Sequence, residues 1–184
     1  RENQREKMYA PTPEKHRKGA KKHYKCAVLT ISTSKYRSKE RGEKDIADRS
    51  GEIAKELVTA NGHEVVYYEV LPDKEDMIYD GITRALNTDA GFVITTGGTG
   101  LTKSDITIEV VSKRMDKEIP GFGELFRLKS YEVIGTAALL SRALAGVIEQ
   151  KTVFCLPGSP DAVRLALDGI ILPELAHIMK HVRE

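Results

Sequence analysis

Apolar residues along this chain fall into short, evenly separated runs, and their spacing alternates between two periods. Residues 25–31 (KCAVLTI) form a β-rich run that ends in the polar stretch Ser32-Thr33-Ser34, read as a loop. Residues 45–60 then place Ile46, Ile53, Leu57 and Ala60 on one helical face, and Asn61-Gly62 supplies the stop. Residues 63–71 (HEVVYYEVL) are β-branched and aromatic and predict a second strand. Pro72-Asp73 opens a second helix with Ile78, Ile82 and Ala85 inward, and residues 91–95 (GFVIT) predict a third strand covered on both faces. A helix over about 105–115 follows a glycine-rich turn, and GFGELFRLKSYEVIG reads as a further helix with an irregular start. Residues 143–148 and 152–156 predict a hairpin, and residues 161–182 a final helical region broken at Pro173.

Strand and helix alternate through the first three strands, which predicts a parallel sheet with right-handed crossovers. With the hairpin added, the expected fold is α/β: a three-layer, open, mostly parallel sheet with helices on both faces and a short antiparallel hairpin. The 184-residue length suits one such domain, with 40% apolar and 30% charged residues to build and solvate it. No apolar stretch approaches the ~20 residues that span a bilayer, and the first residues lack the apolar middle of a signal peptide, so a cytoplasmic location is expected.

Charge divides the chain. Residues 1–25 carry nine Lys or Arg and three Glu, a net of +6, while the remainder is net −4. With Pro11, Pro13 and Gly19 and no apolar period, residues 1–23 read as a basic flexible arm, and residues 24–184 as one domain. The acidic body and the lack of a nucleic-acid motif argue against nucleic acid as a partner. Cys26 and Cys155 lie in apolar runs without a CxxC pair, so they read as buried, reduced core residues. His177 and His181 have i, i+4 spacing, but no HExxH glutamate accompanies them, and a surface helix is the better reading.

In an open parallel sheet, ligands bind beyond the carboxyl ends of the strands. Four segments fall there: Ser32-Thr33-Ser34, Pro72-Asp73, Thr96-Gly97-Gly98-Thr99-Gly100 and Pro157-Gly158-Ser159-Pro160. The glycine run follows a buried strand and precedes a helix, so its N–H groups can approach an anion closely, and phosphate binding is favoured over a plain tight turn. It is not a P-loop, because Thr102 stands where the second glycine is required, and it lacks the final glycine of G-x-G-x-x-G. Lys103 is placed to reach a phosphate or to be solvated. Asp105 is either a Mg²⁺ ligand bridging to phosphate or a first-turn helix residue, and Asp73 is either a cap or a second carboxylate at the site. Asp48, Ser50 and Gly51 mark close packing or approach to a ligand. Pro157, Gly158 and Ser159 offer a second anion-friendly turn.

Three segments together resemble the MoaB/MogA family of molybdenum cofactor biosynthesis, and more closely its MoaB branch: TTGGTGLTKSDIT, EIPGFGELFRLKSYEVIGTAALLSRALAGVI and FCLPGSPDAVRLALDGIILPEL. The likeness covers roughly residues 24–180. It implies a molybdopterin-binding domain that forms a homo-oligomer, a trimer or hexamer, and uses Mg²⁺ and ATP to adenylylate molybdopterin with release of pyrophosphate. It puts the family's acidic pair, catalytic and metal-binding, on Asp105 and Asp73. The ligand-binding positions fall on Ser32, Thr33 and Ser34, on Gly97, Gly98, Thr99 and Gly100, and on Pro157, Gly158 and Ser159. Ser104 stands where many members carry Arg, with Lys103 beside it as a substitute, and Ile108 stands where they carry Pro. A molybdopterin-binding carrier or regulator without turnover is the alternative implied.

Overall fold

Strands β1 (Lys25–Ile31), β2 (Glu64–Leu71), β3 (Phe92–Thr96), β4 (Lys117–Glu118), β5 (Leu144–Ile148) and β6 (Lys151–Leu156) form one sheet in the order β2-β1-β3-β6-β5-β4. The structure is a computed structural model that describes residues 23–44 and 46–183. The basic arm read over residues 1–23 therefore lies, apart from His23, outside the described residues. β1 pairs in parallel with β2 and β3, and β3 with β6, whereas β5 runs antiparallel to β6 and β4 to β5. The expected mostly parallel sheet with its hairpin is thus present.

Alternate residues of each central strand feed opposite layers, as the twofold period of a strand demands. Cys26, Val28, Phe92, Ile94, Phe154 and Leu156 pack on one face against α2 (Arg49–Ala60), α5 (Pro120–Ile134), α6 (Pro160–Ala166) and α7 (Leu172–Arg183). Ala27, Leu29, Ile31, Val93, Val153 and Cys155 pack on the other face against α3 (Glu75–Leu86) and α4 (Thr107–Ser112). Both thiols are fully buried, and burial pushes Cys26 well up and Cys155 to about 12, so neither is a nucleophile at neutral pH.

Several elements depart from expectation. The Ser/Thr stretch after β1 is not a loop: Ser32 caps α1 (Thr33–Glu40), a helix with no buried residue and hence no apolar stripe to read. α2 begins at Arg49, not at residue 45, because the carboxylate of Asp48 takes the Gly51 N–H as an N-cap. Its buried face is Ser50, Gly51, Ile53, Ala54 and Val58; Leu57 is half-buried and Ala60 exposed. α4 is shorter than the 105–115 expected, and the two-residue edge strand β4 was too short to leave a pattern. The last helix breaks before Pro173, in a π turn over Leu167–Ile171, which accommodates the N–H that proline lacks. The β5–β6 hairpin turns on Glu149 and Gln150, both at positive φ.

Candidate active site

Strand order reverses between β1 and β3: the chain leaves β1 for β2 on one side and returns to β3 on the other. Helices then diverge from the carboxyl ends of adjacent strands and leave a crevice there. All four segments singled out in the sequence meet at this edge, because each follows the carboxyl end of a parallel strand. Backbone bonds tie them together: Ser32 N–H donates to Leu71 O (2.7 Å) and Gly97 N–H to Leu156 O (2.9 Å).

The glycine loop is held in a shape that only glycine allows at two positions. Gly97 and Gly98 have φ of 96° and 64°. A Cβ on Gly97 would run into the carbonyl oxygen of Ile31, and one on Gly98 into the Thr107 hydroxyl. That hydroxyl is fully buried and has no hydrogen-bond partner among the described residues. Thr99 is buried beside them, and Gly98 O accepts the Thr107 N–H (3.0 Å).

Asp73 does not cap α3, whose N-cap is Lys74. Its Oδ2 accepts from both the N–H (3.0 Å) and the hydroxyl (2.7 Å) of Thr33, and the Thr33 hydroxyl accepts the Asp73 N–H (2.9 Å). Asp105 does not cap α4 either, since Ile106 holds that position. Its Oδ2 accepts from the Thr102 hydroxyl (2.6 Å) and N–H (2.9 Å). The Thr102 hydroxyl outweighs burial and, with the Thr102 and Gly100 N–H groups, holds the Asp105 carboxyl below its ordinary range, so it is ionised at neutral pH. Both carboxylates border the loop: Asp73 Oδ1 lies 3.1 Å from the point where Gly98 would carry a Cβ, and Asp105 Oδ2 and Oδ1 lie 2.6 Å and 3.3 Å from that of Gly100.

These two carboxylates fit Mg²⁺, which binds through one or two carboxylates and completes its shell with phosphate oxygens and water. The described residues contain no cluster of three or more His, Cys, Asp or Glu that would enclose a metal without a substrate. His177 and His181 pair with each other, Nε2 to Nε2 at 3.0 Å, on α7, and they line a cavity of about 520 Å³ with Asp116, Ile119 and Val147. That cavity shares no residue with the glycine loop. Lys103 and Ser104 are both exposed, and the Ser104 hydroxyl lies 3.0 Å from that of Thr102.

The PGSP turn leads into α6, where Ser159 Oγ accepts the Ala162 N–H (3.2 Å) as the N-cap. Beside it a cavity of about 460 Å³ opens, lined by Phe126, Ser130, Ser141, Pro157, Ser159 and Arg164. The Ser50 hydroxyl donates to Gly158 O and so anchors this turn to α2. Ser32 Oγ accepts the Lys35 N–H as the α1 cap and lies 3.2 Å from Ser34 Oγ.

The Asp48-Arg49-Ser50-Gly51 stretch is explained by packing behind the site. Asp48 is buried and accepts from the Lys35 ammonium (2.8 Å), the Thr30 and Tyr68 hydroxyls and the Gly51 N–H. Gly51 has no room for a side chain, because the Asp48 carboxylate and Thr30 hydroxyl sit against it. Burial pushes the Asp48 carboxyl up, but the bonds from Lys35, Thr30 and Tyr68 outweigh it and hold the group below its ordinary 3.8. A depressed folded-state pKa gives stability that is present above the unfolded value and lost as pH falls through the folded one. Asp48→Asn is therefore expected to cost about 2 kcal/mol at pH 7, since it strips the Lys35 ammonium of its partner. Urea denaturation at pH 7 and pH 3 should show the variant losing less stability than the parent on acidification.

Sequence reasoning did not single out Arg142. Its Nε donates to Thr99 O (2.9 Å), and its Nη2 to Gly100 O (2.8 Å) and Asp105 O (3.4 Å). Both Nη atoms also meet the Glu109 carboxylate. Only its place in the SRALAGV segment marked it.

Comparison with known proteins bears on the family and the fold. Residues 27–177 match the family model described as a probable molybdopterin binding domain. A Bacillus cereus molybdenum cofactor biosynthesis protein B is 47% identical over 165 residues, 89% of this chain and 93% of that protein. A Pyrococcus furiosus molybdopterin adenylyltransferase is 43% identical over 175 residues, 93% of this chain and 98% of that protein. The crystal structure of a tungsten cofactor synthesizing protein MoaB from Pyrococcus furiosus superposes with a TM-score of 0.79 at 42% identity, covering 90% of this chain and all of that one. Fold, glycine loop and relatives agree, and the chain belongs to the MoaB/MogA family of molybdenum cofactor biosynthesis proteins.

Proposed function

We propose that this protein transfers the adenylyl group of ATP to molybdopterin and releases pyrophosphate. The observation that carries the reading is the pair Asp73 and Asp105, each tied by a threonine at Oδ2 and bordering the same glycine loop. A protein that only carried the pterin would have no need of two carboxylates beside a phosphate cradle, where they repel the ligand unless a cation intervenes.

In this reading an oxygen of the molybdopterin phosphate attacks the α-phosphorus of ATP, and the bond from that phosphorus to the bridging oxygen breaks. The glycine loop Gly97 to Gly100 holds phosphate oxygens through the N–H groups of Gly98 and Thr99, the Gly97 N–H being tied to Leu156 O, with Ser32, Thr33 and Ser34 at the neighbouring strand end. Asp73 and Asp105 hold Mg²⁺, which supplies neutralisation of the charge on the phosphates. Thr33 and Thr102 fix the two carboxylates, so little reorganisation accompanies transfer. The pterin occupies the cavity beside Pro157, Gly158 and Ser159.

Residues 24–184 form the one domain that carries this activity, in the cytoplasm. Among the described residues no helix is long and apolar enough to cross a membrane. A homo-oligomer, trimer or hexamer, is supported by the apolar side chains exposed on α5 and the 3₁₀ turn after it: Leu125, Leu128, Tyr131, Ile134, Leu139 and Leu140. The reading is tested by pyrophosphate release from purified protein, ATP and Mg²⁺. Release that requires molybdopterin supports it; molybdopterin bound without any release turns it to the carrier.

A further inference from the structure

We propose that Arg142 is a positioning residue for the anion site: it grips the back of the glycine loop and holds the loop in the conformation that faces the ligand. The proposal deepens the adenylyl-transfer reading and rests on it only for the identity of the natural substrate.

The guanidinium spans the two ends of the loop. It donates to the carbonyls of Thr99 and Gly100 at one end and of Asp105 at the other, while Glu109, in the first turn of α4, holds its remaining donors. A planar fork with five N–H donors suits this task, and a lysine offers no equivalent. All peptide bonds in the described chain are trans, so each carbonyl and the N–H that follows it point in opposite directions. Fixing Thr99 O and Gly100 O on Arg142 therefore turns the N–H groups of Gly100 and Leu101 to the opposite side. One side chain thus fixes the second half of the glycine loop together with the backbone of the residue assigned to the cation.

The clamp makes little contribution to the core. Arg142 keeps 29% of its side chain exposed, and the Gly100 carbonyl and Glu109 it engages lie at the surface. Water can satisfy the Gly100 carbonyl and Glu109 when the guanidinium is removed, and the chief loss is the partner of the carbonyl of buried Thr99, so orientation is lost at a small cost to the fold.

Inorganic pyrophosphate with Mg²⁺, titrated calorimetrically into the full chain, reads the site independently of turnover. Arg142→Gln should weaken pyrophosphate binding about tenfold, the worth of one charge-assisted hydrogen bond. Its melting temperature should stay within about 4 °C of the parent, the shift that about 1 kcal/mol for one unpaired carbonyl produces in a domain of this size. Arg142→Lys should recover only part of the affinity, and Glu109→Gln should weaken binding less than Arg142→Gln. Equal affinity in Arg142→Gln and parent overturns the proposal, and so does a loss matched by a large fall in melting temperature, which makes the arginine a support of the fold. If Arg142→Gln loses pyrophosphate while the parent binds it but transfers no adenylyl group, the clamp stands and the transfer reading fails.

Discussion

Replacing Asp105 with Asn is expected to reduce molybdopterin-dependent pyrophosphate release about 10³-fold, the scale seen when a preorganised electrostatic contact to a reacting centre is removed. The substitution is nearly isosteric. The amide oxygen still accepts from the Thr102 hydroxyl and N–H, so the loop keeps its shape. What disappears is the negative charge facing Gly100, and with it the hold on the cation. The hydrogen bonds from Thr102 keep the carboxyl below its ordinary range, so parent activity near neutral pH should not follow Asp105 titration. Pyrophosphate assays paired with thermal melts check the claim: the melt should move by only a few degrees for a surface loop of a domain this size. Full activity in Asp105→Asn would falsify the metal assignment.

Gly97→Ala acts on the opposite balance and should damage fold and function together. The residue sits at φ 96°, where an L side chain is strained, and its Cβ would meet the backbone oxygen of Ile31, which cannot rotate aside. Strain and overlap together make a cost of about 3 kcal/mol. For a domain of this size that lowers the melting temperature by about 6–12 °C. The clash lies where β1 and β3 end side by side, so the loop must move away from Ser32 and Asp73, and ligand binding should fall in whatever protein remains folded. Gly121→Ala is the control: its Cβ meets nothing within 4 Å, and its φ does not lie in the left-handed region. A Gly97→Ala variant as stable as Gly121→Ala would show that the loop does not need its observed conformation.

The segments of the site were legible because the information is local. A β-rich run followed by Gly, Ser, Thr, Pro or Asp marks a strand's carboxyl end, and the parallel topology then brings such ends to one edge. Asp73 and Asp105 could each be read two ways, since a carboxylate near a helix start serves equally as a cap. Only the fold removes the cap reading, by placing Lys74 and Ile106 at the caps, Thr33 against Asp73 across 40 residues and Thr102 against Asp105. Asp48 could not be resolved from its neighbours either, because Lys35, Thr30 and Tyr68 reach it from three other elements. α1 left no trace in the apolar pattern because it buries nothing, and β4 because two residues have no period. Arg142 was the hardest to see: most of its partners are backbone carbonyls, one of them 43 residues away, and no side-chain pattern encodes that contact.

The central claim is that the adenylyl group itself moves to the pterin, and one labelling experiment tests it directly. Protein, molybdopterin and Mg²⁺ are incubated with ATP labelled at the α-phosphate, and the pterin fraction is separated and counted. The account predicts label on the pterin in step with pyrophosphate release, and none with Asp105→Asn. Label that remains in ATP or appears in ADP, with the pterin bound but unlabelled, would contradict it.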